Sequence, residues 1–141
     1  MKNDLTSTRK RWKIVMMHRD VLRYGIHKRP DRKPGIDELG QRLMPLFEQY
    51  DVNLVLTAHL HTYRNRGRIY DFAHADRGPL YVLTGVAGNV RYPGLWIDHK
   101  LDKVIAPQPE TDNYLTMKVT GDSLTLECFL PDGTSIDKIV L

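Results

Sequence analysis

The sequence predicts an α/β fold that gives way to antiparallel β in its second half. Three observations carry that reading. Two short apolar runs, Lys13 to Met17 and Asp51 to Leu56, flank a stretch of helical periodicity. A third run, Pro79 to Thr84, ends in the tight turn Gly85-Val86-Ala87-Gly88. From Tyr114 onward, short strand-like segments alternate with turn signals.

Lys13-Ile14-Val15-Met16-Met17 is continuous enough to predict a strand buried on both faces, and His18 follows it at once. Residues 19–35 are polar, contain Gly25, Pro30, Pro34 and Gly35, and predict a long loop of the kind that often carries function. Asp37 is placed to cap a helix running to about Tyr50. Its apolar face would be Leu39, Leu43, Leu46, Phe47 and Tyr50, with a kink or split at Pro45. Residues 13–56 therefore read as strand, helix, strand, a right-handed crossover between parallel neighbours. Residues 89–112, with Pro93, Pro107 and Pro109, predict irregular chain. A meander closes the sequence: Tyr114 to Val119, a turn at Thr120-Gly121-Asp122, Leu124 to Leu130, a turn at Pro131-Asp132-Gly133, and Ile136 to Leu141. No repeat or internal boundary divides the chain.

Composition narrows the class. The 141 residues are 41% apolar and 27% charged, ordinary for a globular domain with a real core. No apolar run approaches the ~18 residues of a membrane span, so no membrane partner is expected. Met1 to Lys13 is polar and basic and lacks the apolar stretch of a secretory signal. The single cysteine, Cys128, can form neither an intrachain disulfide nor a thiolate cluster, and its strand-like setting predicts a buried, inert thiol. A net charge of +4 permits an anionic partner without demanding one.

The candidate chemistry lies in histidines. His18 ends the first strand, and His59 and His61 follow the strand 52–56. Open α/β sheets bind ligands beyond the carboxyl ends of their strands, and parallel strands share that edge. His18 and the His59/His61 pair are thus expected to converge. Imidazole ligates zinc, iron and other transition metals. In extended backbone a His-x-His pair points its rings to opposite sides, which suits two ions about 3.5–4 Å apart better than one. A His-x-His pair by itself is equally well read as two scattered histidines; a second strand-end histidine on the same edge tips the balance to a metal.

On these residues the sequence resembles the calcineurin-like metallophosphoesterases, most of all the purple acid phosphatase-like branch. Trp12-Lys13-Ile14-Val15 before His18 is similar to the family's strand ending in histidine. Ala58-His59-Leu60-His61-Thr62-Tyr63-Arg64 is similar to its histidine-pair motif. Tyr81 to Gly88 and the closing Asp132-Gly133-Thr134-Ser135-Ile136-Asp137 resemble its strand into a glycine turn and its final hairpin. The resemblance implies the C-terminal half of a metallophosphoesterase β-sandwich flanked by helices, with an antiparallel C-terminal meander. It implies phosphoester hydrolysis at a binuclear centre of two divalent or mixed-valence ions (Fe, Zn or Mn). His18 and His59 would bind one ion and His61 the other. His27 would contact the phosphoryl group or protonate the leaving oxygen, and Arg64 would help to hold the substrate.

The sequence departs from the family in several places. Ala58 stands where the family has Gly, Tyr63-Arg64-Asn65 lacks the usual Glu, and Asp20 replaces a frequent Pro. The N-terminal motifs Asp-x-His, Gly-Asp-x-x-Asp and Gly-Asn-His-Asp/Glu are absent, and neither Gly121-Asp122 nor Gly88-Asn89 substitutes for them. Residues 1–141 are therefore expected to be a single partial domain whose partner is the missing N-terminal half. Alone, the chain is expected to hold no metal or one weakly, to show little catalysis, and to expose a cut sheet edge prone to dimerisation. The alternatives are a non-catalytic docking domain, and nucleic-acid binding through the basic run Arg64-Asn65-Arg66-Gly67-Arg68; Arg64 taken singly, like Lys28 and Arg29, reads most simply as part of a solvated loop surface.

Overall fold

The computed structural model describes residues 1–141. In chain order the elements are α1 (Lys2–Ser7), β1 (Ile14–Met16), β2 (Leu22–Arg23), β3 (Gly25–Ile26), β4 (Gly35–Ile36), α2 (Glu38–Gln49) and β5 (Leu54–Thr57). They continue with β6 (Arg64–Tyr70), β7 (Ala73–His74), β8 (Leu80–Leu83), β9 (Trp96–Ile97), β10 (Val104–Ile105), β11 (Tyr114–Thr120), β12 (Ser123–Phe129) and β13 (Ser135–Val140). The main sheet runs β1-β5-β8-β6-β10, with β7 paired to β6, and β11-β12-β13 form a second sheet.

Alternation along the central strands sorts the core onto two faces. Leu54, Leu56, Leu80 and Val82 face the second sheet and pack with Leu124, Leu126 and Cys128 of β12. Val55, Tyr81 and Leu83 face the other way, onto Met44 and Phe47 of α2. The result is a β-sandwich with a helix on its outer face, as the resemblance implies. β1 and β5 are parallel, with Ile14 opposite Leu54, and β5 and β8 are parallel, with Leu54 opposite Leu80. The crossover read from the sequence is present. So is the meander, which sets Leu115 opposite Cys128 and Leu126 opposite Ile139. Cys128 is fully buried, and burial pushes its thiol up to about 12. No helix is long and apolar enough to cross a membrane.

Helix α2 starts where expected: the Asp37 carboxylate accepts from the Leu39 N–H at 3.0 Å. Its buried stripe, however, is Gly40, Met44 and Phe47, with Leu39, Leu43 and Leu46 only half-buried beside it. Gly40 turns the helix. A Cβ there would stand 2.1 Å from the Val21 carbonyl oxygen, so the helix can approach this backbone only through a glycine. Pro45 lies inside the helix without ending it, on the exposed side.

Three further expectations are corrected. Residues 19–35 are not simply a loop: they carry β2, β3 and β4, and Val21, Leu22 and Tyr24 enter the core. β1 is not buried on both faces, because it is the edge strand of the sheet and leaves Met16 77% exposed. Arg64 is not part of a solvated loop surface. The basic run is β6, between β8 and β10, with Arg64 4% and Arg66 0% exposed. Strand alternation points both guanidiniums inward, where Arg66 meets Asp20 at 2.6 Å and Arg64 meets Asp98 at 2.6 Å and Asp102 at 3.0 Å. Arg66 is withdrawn from any surface that a polyanion could reach.

Candidate metal centre

Because β1 and β5 are parallel neighbours, the chain leaves both at the same edge. Their ladder runs on past the strands: Met17 N–H donates to Leu56 O at 3.0 Å and Ala58 N–H to His18 O at 3.1 Å. This register brings the next side chains together. His18 Nε2 lies 3.1 Å from His59 Nδ1, with the rings edge to face and both residues exposed.

The His59-Leu60-His61 segment is not extended, which corrects the geometry assumed from the sequence. His59 and His61 both adopt left-handed backbone, with φ of 77° and 50°. Such a conformation costs a non-glycine residue on the order of 1–2 kcal/mol, and strain of this kind gathers at functional sites. The two rings have different neighbours. His61 Nδ1 lies 3.3 Å from Val90 O, and its ring packs on Tyr92. Ala58 is accommodated without a clash, since even a Cβ built on Gly85 would be 3.7 Å from the Ala58 methyl.

Beneath the pair, Asp20 joins the two strand ends. It follows His18 by two positions, and Thr57 precedes His59 by two. The Asp20 carboxylate accepts from Val21 N–H at 2.8 Å, Thr57 Oγ1 at 2.9 Å and both Arg66 Nη atoms, at 2.8 and 2.6 Å. Burial alone would favour a neutral Arg66, but Asp20 and Tyr24 outweigh it and hold the guanidinium charged. The network continues through the Tyr24 hydroxyl, which accepts from Arg66 at 3.1 Å and bonds to Asp102, the partner of Arg64. Burial raises the Tyr24 phenol above its ordinary value. In the sequence Asp20 stood out only as a replacement for proline; its role depends on Arg66, which is remote in the chain.

The other site candidates lie elsewhere. His27 sits exposed on the turn after β3; its backbone N–H donates to Leu95 O at 3.2 Å, and its ring makes no hydrogen bond. Arg64 lines the cavity beside His61, but its Nη1 is already given to two carboxylates. Tyr63 is buried and donates to Asp137 of β13 at 2.6 Å, which ties the histidine-pair motif to the meander.

The donor set can be tested against the ions the resemblance implies. Two imidazole nitrogens, each about 2.1 Å from one tetrahedral ion, stand roughly 3.4 Å apart. The His18–His59 separation of 3.1 Å fits two ligands of a single metal. His61 makes its contacts elsewhere, with Val90 O and the Tyr92 ring. No group of three or more His, Cys, Asp or Glu side chains gathers to hold a metal. The residues thus fit part of a coordination shell and do not complete one.

No family model matches the sequence. Purple acid phosphatase 23 of Arabidopsis thaliana is 36% identical over 50 residues, which make up 36% of this chain and 11% of that protein. The structure of a purple acid phosphatase isolated from yellow lupin (Lupinus luteus) seeds superposes with a TM-score of 0.74 at 17% identity. That match covers 99% of this chain and 27% of the lupin chain, so this chain spans well under two thirds of the proteins it matches. The chain has the fold of the C-terminal part of a purple acid phosphatase, the kind of protein its sequence resembles.

Proposed function

We propose that this chain supplies the histidine half of a binuclear metallophosphoesterase site, and that phosphoester hydrolysis belongs to the assembly it forms with a second half-domain. The observation that carries the proposal is the 3.1 Å meeting of His18 Nε2 and His59 Nδ1 at a shared strand edge. In this reading His18 and His59 hold one ion, His61 holds the other, and both ions are Fe, Zn or Mn. The ions, when bound, supply the positive charge that clamps a phosphoester and activates its attacker. His27, on its exposed turn, hydrogen-bonds a phosphoryl or leaving oxygen. Arg64 reaches the substrate through N–H groups not given to Asp98 and Asp102.

The open side of the sandwich supports a partial domain over residues 1–141. Ile14 packs with the core between the sheets, so Met16, two residues on, faces the same layer; it is nevertheless 77% exposed. On β11, Met117 and Val119 alternate with the outward residues, face the same layer opposite Leu126 and Leu124, and remain 46% and 48% exposed. Trp12 Nε1 donates to Gly121 O at 3.2 Å, and Arg11 pairs with Asp122, so β1 and β11 border one side of the sandwich. An unpaired strand edge over uncovered apolar residues suits continuation of the sheet by another segment. The missing half-domain would cover this side and bring the carboxylates that the site lacks.

The test uses the 141-residue chain alone and mixed with a half-domain carrying Asp-x-His, Gly-Asp-x-x-Asp and Gly-Asn-His. Metal content and phosphatase activity are measured for wild type and His59→Ala. The proposal expects both to appear on mixing and both to be lost with His59→Ala. Unchanged metal content in that variant favours a non-catalytic docking domain instead. A tight stoichiometric pair of metals in the isolated chain would overturn the idea of an incomplete site.

A further inference from the structure

The net charge of +4 is concentrated in one segment. Residues 23–33 hold five cations, Arg23, Lys28, Arg29, Arg32 and Lys33, against the single carboxylate of Asp31. Of the 21 basic and 17 acidic residues in the chain, 16 of each lie outside this segment, so the rest of the protein is electrically balanced. Ion pairing does not offset the excess. None of the five cations forms a salt bridge, whereas Arg64, Arg66 and Arg91 all do. The segment is tied down despite its polar composition. β2 and β4 pair Arg23 with Gly35, β3 pairs with β9, and Val21, Leu22 and Tyr24 anchor the base in the core. Within it, Arg29 N–H donates to Ile26 O and Arg32 N–H to Arg29 O, each at 2.9 Å. Two of the cations brace the turn through Nε alone: Arg32 donates to Tyr24 O at 3.0 Å and Arg23 to Lys33 O at 3.1 Å. Lys28, Arg29 and Lys33 are exposed.

We infer that the 23–33 hairpin is a docking surface for the phosphate backbone of a nucleic acid, bound without base recognition. Five unpaired cations in so short a segment suit a polymer of repeating negative charges, whose binding releases its condensed counterions. Three of the five are arginines, whose guanidinium fork matches phosphate oxygens. An anionic membrane is the weaker fit, because none of the large exposed apolar side chains lies between residues 19 and 36 to enter a bilayer. The inference needs neither the metals nor the second half-domain, so it stands apart from the hydrolase reading.

The test is fluorescence anisotropy of a labelled single-stranded DNA of mixed sequence, titrated with the 141-residue chain in EDTA at several salt concentrations. Five phosphate contacts predict a slope of about −3.5 for log affinity against log salt, a loss of roughly 100-fold between about 50 and 200 mM. Lys28→Gln/Arg29→Gln removes two exposed cations whose side chains make no hydrogen bond, and should flatten the slope to about −2 with an unchanged thermal melt. Arg9→Gln/Lys10→Gln removes the same charge outside the hairpin and should leave the slope in place. Absence of binding at about 50 mM salt, an affinity indifferent to salt, or equal losses in the two double variants would each overturn the inference. Phosphatidylserine vesicles and polygalacturonate serve as competitors beside unlabelled DNA. Unlabelled DNA as the strongest competitor per unit charge is the expected result; stronger displacement by the vesicles or by the carboxylate polymer would overturn the nucleic-acid assignment in favour of that partner.

Discussion

Asp20→Asn isolates the network under the histidines. The substitution keeps the side-chain shape and removes the charge. Asp20 is 4% exposed and Arg66 0%, so water cannot replace the lost partner. Breaking a buried ion pair from one side costs about 3–5 kcal/mol, because the surviving charge is stranded. Two features moderate that figure here. Asn can still accept one hydrogen bond, and Arg66 keeps the Tyr24 hydroxyl at 3.1 Å and Asp102 at 3.8 Å. The lower end, about 3 kcal/mol, is therefore expected, and for a domain of this size it lowers Tm by roughly 10 °C. Urea and thermal melts followed by circular dichroism give the value. Asp20→Asn/Arg66→Met, which leaves no stranded charge, should recover at least about 1 kcal/mol relative to the sum of the single variants. The local consequence is separate: the nuclear Overhauser contact between the His18 and His59 rings should weaken, because Asp20 ties the strand end behind one to Thr57 before the other. A single variant within about 0.5 kcal/mol of wild type, or strict additivity in the double, would refute the reasoning.

Gly40→Ala should destabilise the fold by about 1–3 kcal/mol in urea melts despite the better helix propensity of alanine, since its methyl would meet the Val21 carbonyl. Cys128, its thiol held up to about 12 by burial, should resist a thiol reagent at pH 8 in the native chain and react fully in denaturant. His99 is the pH-dependent residue. Burial lowers its folded pKa below the usual value, so the unfolded chain takes up the proton first. Stability should be intact above pH 6.5 and fall as the pH drops through that value, and His99→Gln should flatten this part of the profile.

Elements specified by local pattern were legible in the sequence. The apolar runs fixed the parallel strands, Asp37 marked the helix start, and the glycine turns spaced the meander. What stayed hidden depends on contacts made across long separations. Arg64 read as solvated, and the basic run that includes Arg66 as a nucleic-acid candidate, because their carboxylate partners, Asp20, Asp98 and Asp102, are distant in the chain and acquire meaning only once β6 is placed inside the sheet. The helix face was misread by a partial turn because Gly40 looks like a weak helix former until the Val21 carbonyl is seen against it. Residues 19–35 looked like a loop by composition, yet Val21, Leu22 and Tyr24 are separately buried among polar neighbours.

The candidate site shows the same division. Convergence of His18 and His59 followed from sheet topology alone, since parallel neighbouring strands leave little freedom for where their ends emerge. The extended geometry assumed for His59 and His61 does not hold: the segment is bent, with left-handed backbone at both histidines, and the two rings meet different neighbours. A bent segment could as easily have directed both rings to one ion, so the outcome depends on what holds the bend. Leu60, Thr62 and Tyr63 are all buried, the Leu60 carbonyl accepts from Trp96, and Tyr63 reaches Asp137 in the second sheet. The strain at the histidines is thus sustained by packing on both sides of the sandwich. That makes the direction of His61 a property of the whole fold and not of the short motif that first drew attention to it.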